Sequence, residues 1–490
     1  MSDAVHQDER ARLWTPSEES IRGSRMHDFA QWVSRTRGVP TEGFDALHAW
    51  SVEDLEAFWG AVWEYCGIVA SSEATAALED RSMPGACWFP GTRLNYAENT
   101  LRWAESRPEE VAIVGEHEDG APVSWTWREL ESRVAALAQR LRELGVGRGD
   151  RVAGVLPNIP ETVVALLATA SVGALWSVVN TDFGPSGVAD RFAQIEPSVL
   201  FVVDGYRFGG SLRDMTGSYA GLLDVLPSVQ QLIVVDQQPS GAVKALPEGA
   251  LRLSEILECS AVPRYEQVPF EHPLWILYSS GTTGKPKGIV HSHGGVVLEF
   301  HKALGLHAGL GPEDIAYYAV ATTWMVWNML VGILLTGARI IHLRRVPDPR
   351  RPGEVLRARG AAPGHVLRCG RGHSQHGAAR RGGPQRPHGP VLPPIDPGHG
   401  LPASRRRLGL GLRGRLTHGA PRLRLGRHRR HERVHRHQSV PVRVPGRDHG
   451  PVPGCGRGVL ELPRGARVGR GGRAGDHRPH AQHAGGLLGR

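Results

Sequence analysis

The sequence predicts an α/β fold for its central part, residues 106–343, with a helical extension before it and a tail without a foldable pattern after it. Three observations support this division. In the centre, short apolar runs alternate with amphipathic helical stretches. Residues 1–105 are rich in Trp and in helix-forming residues. Residues 344–490 show neither the period of 2 that is typical of a strand nor the period of 3.6 that is typical of a helix. Strands that alternate with helices are typical of a mainly parallel sheet.

The extension, residues 1–105, contains one clear helical pattern. The stretch SVEDLEAFWGAVWEYCGI begins at Ser51, which we interpret as an N-cap, and it places Leu55, Phe58, Val62 and Tyr65 at helical spacing. The stretch WFPGTRLNYAEN, residues 88–99, contains Pro and Gly and is predicted to be an irregular connection.

The central part begins with a strand, VAIV from Val111, and a helix that Thr126 and Glu129 open as a capping box. Gly145 is placed to end that helix. Its apolar face comprises Leu130, Val134, Leu137, Leu141 and Leu144. The runs RVAGVL (151–156) and SVLFVVD (198–204) are predicted to be buried strands, and ETVVALLATASVGAL is predicted to be a helix between them.

The stretch LWILYSSGTTGKPKGIVHSHGG, residues 274–295, is the part of the sequence that predicts a ligand-binding function. An apolar strand, LWILY, leads into ten small, hydroxylated and basic residues, and such a loop offers backbone N–H groups and hydroxyls to phosphate oxygens. Lys285 and Lys287 add positive charge. The alternative is a glycine-rich surface turn without a ligand. A Walker A loop is excluded because Gly281 and Gly284 are only three residues apart and Pro286 follows Lys285.

The string YSSGTTGKPKG resembles the phosphate-binding signature of the adenylate-forming superfamily, which includes the acyl-CoA synthetases. Longer stretches resemble the short-acid members of that superfamily, and the resemblance covers about residues 14–343. These stretches are residues 88–99, 182–210, 272–295 and 324–338. The fold that the resemblance implies is the large N-terminal domain of an adenylate-forming enzyme, in incomplete form.

The activity that the resemblance implies is ATP-dependent ligation of a short 3-oxo acid to coenzyme A, with Mg²⁺, in lipid or ketone-body metabolism. The acid's carboxylate attacks the α-phosphorus of ATP, and the thiol of coenzyme A then displaces AMP from the acyl-adenylate. The residues that the motif assigns to nucleotide binding are Ser279, Ser280, Gly281, Thr282, Thr283, Gly284 and Lys287.

The resemblance also places Trp324, Met325 and Trp327 near the acid and the nucleotide, with ordinary core packing as the alternative. Thr323 stands where the family usually has Gly, so its side chain can narrow the acid pocket. His291 and His293 follow the loop, and we expect them to serve in capping or core hydrogen bonds. No catalytic residue and no metal ligand is assigned.

The tail differs in composition from the rest of the chain. From Arg345 to Arg490 it has 31 Arg, no Lys and seven Asp or Glu, whereas the whole chain of 490 residues has a net charge of only +9. It also lacks Phe, Trp, Tyr, Met and Asn, so it cannot bury enough apolar surface to offset chain entropy. The late catalytic Lys and the ribose-binding Asp of the family cannot be placed in it, and we therefore expect the chain to be inactive.

Translation of GC-rich DNA in a shifted reading frame explains this composition. Codons for Arg427 to Arg430 can contain a Gly-Thr-Asp triplet one base away, and codons for Arg447 to Pro451 can contain Gly-Ile-Thr-Gly. Both strings resemble the family's sequence in the expected order. We therefore infer a frameshift between His342 and Val346.

Two alternatives remain open, and the first is from a different class of protein. A basic polyanion-binding protein would normally interleave aromatic residues with Arg, and the tail has none, so we expect no specific nucleic-acid partner. Its His residues from His428 to His437 have no Cys nearby, which disfavours a zinc site. A related synthetase acting on an acetate-like acid is the second alternative.

The compartment that the sequence predicts is the cytoplasm. Its five Cys residues are scattered, its N-terminal stretch MSDAVHQDERARLW is polar, and no apolar run reaches about 18 residues. We therefore expect neither a signal peptide nor a membrane span.

The frameshift is tested by sequencing the DNA across the codons for Ile340 to Arg350. We expect a single-base discrepancy whose correction restores the family's reading frame. Confirmation of the frame as it stands would show instead that the Arg-rich tail is encoded as written.

Overall fold

The N-terminal extension is helical in the computed structural model, which describes residues 14–41, 43–116, 122–208, 210–238, 246–279, 284–343 and 366–369. Four helices come first: α1 (Glu18–Arg22), α2 (Arg25–Arg37), α3 (Gly43–Glu53) and α4 (Leu55–Tyr65). Short strands and two short helices follow: β1 (Leu78–Asp80), β2 (Cys87–Trp88), β3 (Arg93–Leu94), α5 (Tyr96–Leu101) and α6 (Trp103–Ser106).

Two predictions for the extension were wrong in detail. Ser51 lies inside α3, and the N-cap of α4 is Asp54, whose carboxylate accepts a hydrogen bond from the Ala57 amide at 3.0 Å. A carboxylate at the N-terminus also interacts favourably with the helix dipole, which explains why the later residue caps. Residues 88–99, predicted to be irregular, contribute to β2, β3 and α5, and α5 is capped by Asn95.

The central region alternates strands and helices as predicted. Its elements are β4 (Val111–Glu116), β5 (Val123–Thr126), α7 (Trp127–Glu143), β6 (Arg151–Val155), α8 (Pro160–Ser171), β7 (Leu175–Val179), α9 (Pro185–Phe192), β8 (Val199–Val203), β9 (Gly205–Phe208), β10 (Ser211–Asp214), α10 (Tyr219–Val225), β11 (Gln231–Val235), β12 (Leu251–Arg252), α11 (Leu253–Leu257), β13 (Val268–Pro269), β14 (Pro273–Ser279), β15 (Lys287–Ser292), α12 (His293–Phe300), β16 (Ile315–Tyr318), α13 (Met325–Gly332), β17 (Arg339–Leu343) and β18 (Val366–Cys369). A π-helical turn spans His301–His307, and 3₁₀ turns span Thr216–Ser218 and Ile333–Thr336.

Two sheets organise the described residues. The larger has seven strands in the order β12-β11-β8-β6-β7-β14-β15, and all its neighbours are parallel except β14 and β15. The smaller has five strands in the order β18-β16-β17-β4-β5, and only β4 and β5 are antiparallel. Since parallel strands all point the same way, their carboxyl ends share one edge of each sheet.

The larger sheet is covered on both faces, as its continuous apolar strands require. Along β8, Val199, Phe201 and Val203 face the main core, whereas Leu200 and Val202 face a second cluster that includes residues of α9 and α10. The main core also contains the apolar faces of α7, α8 and α12 and residues of the smaller sheet. These helices therefore form the layer between the two sheets.

Helix α7 confirms the capping-box prediction. The Thr126 amide donates to the Glu129 carboxylate at 2.8 Å, and the Glu129 amide donates to the Thr126 hydroxyl at 3.2 Å. Gly145, just past the last turn, has φ +80° and so allows the helix to stop there. Among the described residues no helix has the length and apolarity to cross a bilayer.

The predicted tail differs from expectation in one respect. Residues 366–369 form β18, which pairs in parallel with β16 from Ile315 to Tyr318. Val366 and Leu367 are strand-forming residues, and a sheet edge offers unpaired N–H and C=O groups to such a segment. The remaining residues of the tail lie outside the described part of the chain.

Several histidines are buried in neutral form. Burial lowers the pKa of His342 and of His301 to about 3 and holds the pKa of His293 well below its usual value. Because protonation is then easier in the unfolded chain, these residues leave stability intact above about pH 6.5 and reduce it as the pH falls toward 3.

We expect His342→Gln to flatten this dependence. Removal of one buried histidine should reduce the slope of the unfolding free energy against pH by up to about 1.4 kcal/mol per pH unit between about pH 6 and 4. Urea unfolding at a series of pH values measures the slope. His48→Gln, at an exposed position on α3, is the matched control and should leave it unchanged. Equal slopes for both variants would contradict the burial of a neutral His342.

Candidate functional site

The glycine-rich loop follows β14, and the position of that strand is set by β7. Trp275 of β14 is in register with Trp176 of β7, and the Ser177 hydroxyl donates to the Ile276 carbonyl at 2.8 Å. Counting four residues on along each strand brings Ser279 level with Asn180, the residue after β7. The loop thus leaves the larger sheet at its carboxyl edge, which is where ligands bind in open α/β sheets.

The loop returns directly into β15, so it connects a β-hairpin at the end of a parallel sheet. Ser279 and Lys287 are opposite each other in the β14–β15 register, and the Lys287 side chain is exposed. Gly284 has φ +93°, a left-handed conformation that favours glycine. Ser280, Gly281, Thr282 and Thr283, which the sequence predicts to bind phosphate, lie outside the described residues.

The base of the loop is tied to the end of α9. The Gln194 side-chain amide donates to the Pro286 carbonyl at 3.0 Å, and the Tyr278 hydroxyl donates to the Arg191 carbonyl at 2.7 Å. Both contacts hold the two arms of the hairpin against a helix that itself follows β7. The two described ends of the loop are therefore held in place by side-chain hydrogen bonds.

The segment that leads into α13 reaches the same edge of the sheet. The Thr322 hydroxyl donates to the Leu156 carbonyl, just past β6, at 2.7 Å. The Asn180 amide, just past β7, donates to the Thr323 hydroxyl at 2.9 Å. Two successive threonines therefore fasten this segment to the ends of two adjacent strands, beside the strand that carries the loop.

Trp324 and Met325 follow these threonines, and their environments differ. Trp324 is the N-cap residue of α13 and is 65% exposed, whereas Met325 is partly buried and packs against the main core. Trp327 is fully buried. Core packing therefore describes Trp327, while an exposed indole at the carboxyl edge leaves Trp324 free to contact a bound ligand.

A buried polar contact that joins Asn158, Trp327 and His342 was not predicted from the sequence. The side-chain amide oxygen of Asn158 (Oδ1) accepts a hydrogen bond from the Trp327 indole at 2.9 Å and forms a second, short bond with Nδ1 of His342. Asn158 thus links the end of β6, in the larger sheet, to β17 in the smaller one. The sequence feature that could have indicated this contact is Asn158 itself, a polar residue two positions after the apolar run RVAGVL (151–156).

The histidines after the loop have structural partners, in line with expectation. His291 Nδ1 accepts a hydrogen bond from the Trp275 indole at 2.9 Å, and His293 Nδ1 accepts one from the Tyr96 amide at 3.1 Å. Burial lowers the pKa of both imidazoles, which keeps the neutral form that these bonds need. They fix β15 and the start of α12 to the core.

The arrangement suits an anionic ligand. Lys285 and Lys287 are exposed at the end of the hairpin, and hydroxyl groups lie on its other arm and on the neighbouring segment. Within the described residues no group of three or more His, Cys, Asp or Glu side chains could hold a metal ion. The described part of the site thus offers donors and positive charge rather than a preformed metal site.

Comparison with known proteins agrees with this geometry. The family model "AMP-binding enzyme" matches residues 101–360, and "Acetyl-coenzyme A synthetase N-terminus" matches residues 44–100. The first match extends beyond residue 343, where we predicted the adenylation domain to end. The second match begins within the predicted helical extension.

Individual relatives are synthetases. The chain is 41% identical over 330 residues to acetoacetyl-coenzyme A synthetase of Rhizobium meliloti (67% of this chain, 50% of that protein). It is 37% identical over 340 residues to acetoacetyl-CoA synthetase of Macaca fascicularis (67% and 50%). It is 34% identical over 343 residues to malonamoyl-CoA synthetase of Penicillium aethiopicum (67% and 47%).

A solved structure of acetoacetyl-CoA synthetase from Streptomyces lividans is 48% identical, with a TM-score of 0.67, over 70% of this chain and 53% of that one. The chain spans about half the length of the relatives that it matches. The match to the family model, which includes the glycine-rich loop and the segment before α13, covers more than half of the chain. The chain therefore belongs to the AMP-binding enzyme family.

Proposed function

We propose that this chain represents an acetoacetate–CoA ligase, an AMP-forming acid–thiol ligase. The observation that supports it most directly is the convergence of the SSGTTGKPKG loop and the Thr322–Met325 segment on one carboxyl edge of the larger sheet. Relatives named acetoacetyl-CoA synthetase share this part of the chain at 34–41% identity. The acid that those names specify is acetoacetate.

The reaction has two steps. A carboxylate oxygen of the acid bonds to the α-phosphorus of ATP, and the bond to the bridging oxygen breaks with release of pyrophosphate. The thiolate of coenzyme A then bonds to the acyl carbon of this mixed anhydride, the acyl carbon–oxygen bond breaks, and AMP leaves with its electrons. In the first step two anions must approach, so stabilisation of negative charge is the main requirement.

The loop residues meet that requirement. Ser279, Ser280, Thr282, Thr283 and the loop's backbone N–H groups would donate hydrogen bonds to the triphosphate, and Gly281 and Gly284 would permit the backbone to approach it. Lys287 would add a positive charge at the exposed start of β15. Mg²⁺ binds few protein ligands when phosphates supply the others, so most of its ligands here would come from the triphosphate.

The acid would bind beside Trp324 and Met325. The names of the relatives favour a short acid with a second carbonyl group at C3, since acetoacetyl and malonamoyl groups both have one. A synthetase for an acetate-like acid is the second candidate within the family. It is favoured by the match of residues 44–100 to the acetyl-coenzyme A synthetase N-terminus.

We further propose that the chain as given does not complete the reaction, that a frameshift produced residues 344–490, and that the enzyme is cytoplasmic. The absence of Lys from Arg345 to Arg490 supports the first two points, because no residue there can take the role of the late catalytic Lys. Basic polyanion binding is the alternative for this tail, since its Arg residues bind polyanions non-specifically at low salt.

We expect the purified chain to form no acetoacetyl-CoA from acetoacetate, ATP, Mg²⁺ and coenzyme A. The thioester is measured by its absorbance or by mass spectrometry. The control is the protein expressed from the frame-restored gene, which should form the thioester and should prefer acetoacetate to acetate. Turnover by the chain as given would show that the tail does not abolish activity.

We expect Lys287→Ala to weaken ATP binding. Loss of a charge-assisted contact costs about 1.5–3 kcal/mol, which is roughly tenfold or more in Kd. Isothermal titration with ATP and Mg²⁺ measures the change. Lys302→Ala is the matched control: it removes the same charge from a residue that pairs with Glu299 at 2.8 Å and contacts the Trp59 ring. An equal Kd for Lys287→Ala and the unmodified chain would exclude a phosphate contact by Lys287.

A further inference from the structure

Strand β15 forms one edge of the larger sheet, and no described strand pairs with its outer side. It is six residues long, whereas β12, at the opposite edge of the sheet, has two. An edge strand presents unpaired backbone N–H and C=O groups, and proteins usually protect such an edge by keeping it short or charged. The centre of β15 has neither protection, because it consists of Gly288, Ile289 and Val290.

The two aliphatic residues of β15 lie on opposite faces of the sheet, since side chains alternate along a strand. Ile289 is opposite Leu277, which packs against the main core, and Val290 is opposite Ile276 on the other face. Ile289 is 45% exposed and Val290 is 38% exposed. The edge therefore offers both backbone groups and apolar surface to an added strand, which is what strand addition requires.

The two ends of β15 differ in charge. Lys285 and Lys287 are exposed at its start. Its last residue, Ser292, is opposite Pro273 of β14, and the exposed Glu271 lies two residues before Pro273. A second copy of β15 in antiparallel orientation would bring its basic end to the acidic end of this chain, and the reverse. A parallel copy would bring like charges together, so the charges favour the antiparallel arrangement.

The side chains of β15 also match those of a second copy. In an antiparallel pair centred on Val290, the two Val290 residues face each other, and Ile289 of each copy faces His291 of the other. The two Lys287 residues then lie at opposite ends of the paired strands, about 20 Å apart at 3.4 Å per residue. Apolar side chains thus meet across the pair and like charges do not.

We propose that β15 is the interface through which two copies of this chain associate, by antiparallel pairing that joins their larger sheets into one. A second copy is favoured over an unrelated extended segment because β15 complements itself in charge and in apolar side chains. The proposal is independent of the proposed function. The glycine-rich loops of the two copies would lie at opposite ends of the joined strands.

Analytical ultracentrifugation of the full chain over a range of concentrations measures this association, and we expect a concentration-dependent dimer. Val290→Lys should raise the dissociation constant roughly tenfold or more, because two lysines would then face each other across the pair. Val52→Lys, at a position on α3 that is 54% exposed, is the matched control and should leave the constant unchanged. Circular dichroism checks that each variant is folded. A chain that stays monomeric, or a dimer that Val290→Lys leaves intact, would overturn the proposal.

A charge exchange tests the antiparallel orientation. Glu271→Lys should weaken the dimer, and Glu271→Lys combined with Lys287→Glu should restore it, because the two ends then carry opposite charges again. High salt should reduce both effects. Failure of the double variant to recover the association lost in Glu271→Lys would contradict the antiparallel pairing.

A cross-link tests the register without adding charge. Val290→Cys should form a disulfide-linked dimer on air oxidation, since two residues that face each other across paired strands are within disulfide distance. Val52→Cys should give no more linked dimer than the unmodified chain, which corrects for the native cysteines. An intact dimer without this cross-link would place the interface elsewhere. A monomeric chain whose β15 amides are protected from hydrogen exchange would show that another segment of the same chain covers the edge, which also overturns the proposal.

Discussion

The parallel pairing of β14 with β7 is the constraint on which the candidate site depends. Register between Trp275 and Trp176, with the Ser177 hydroxyl bound to the Ile276 carbonyl, places the end of β14 level with the end of β7. Both indoles are fully buried, so a shift in this register would remove large apolar surfaces from the core. Because β14 is parallel to β7 and antiparallel to β15, the chain must turn at the carboxyl edge, and that turn is the glycine-rich loop.

The other parts of the site are held to the same edge by polar contacts from distant parts of the chain. Thr322 and Thr323 bind backbone groups just past β6 and β7, and Gln194 binds the backbone of the loop. Asn158 joins this edge to β17 through Trp327 and His342. In such an arrangement the apolar core determines the positions of the strands. A few hydrogen bonds from hydroxyl and amide groups determine the orientation of the loops between them.

Local patterns allowed much of this structure to be predicted. The Thr126–Glu129 capping box and the apolar face of α7 depend on residues three or four apart, and the strand β14 and its loop are contiguous in sequence. The contacts that complete the site are not local: Thr323 and Asn180 are 143 residues apart, and Asn158 and His342 are 184 apart. Strand order across a sheet decides such pairs, and periodicity carries no information about it. The cap of α4 was misassigned because Ser51 and Asp54 are both good N-cap residues, and the carboxylate of Asp54 also interacts favourably with the helix dipole.

The central claim is the proposal that the glycine-rich loop, the end of β7 and the start of α13 form one nucleotide site. Hydrogen exchange of the full chain with and without ATP and Mg²⁺ tests it most directly. The account predicts slower exchange on ATP binding in three separate stretches at once, residues 180–183, 284–288 and 322–326, with residues 25–37 of α2 unchanged. Slower exchange confined to the loop, or located away from the carboxyl edge of the larger sheet, would contradict it.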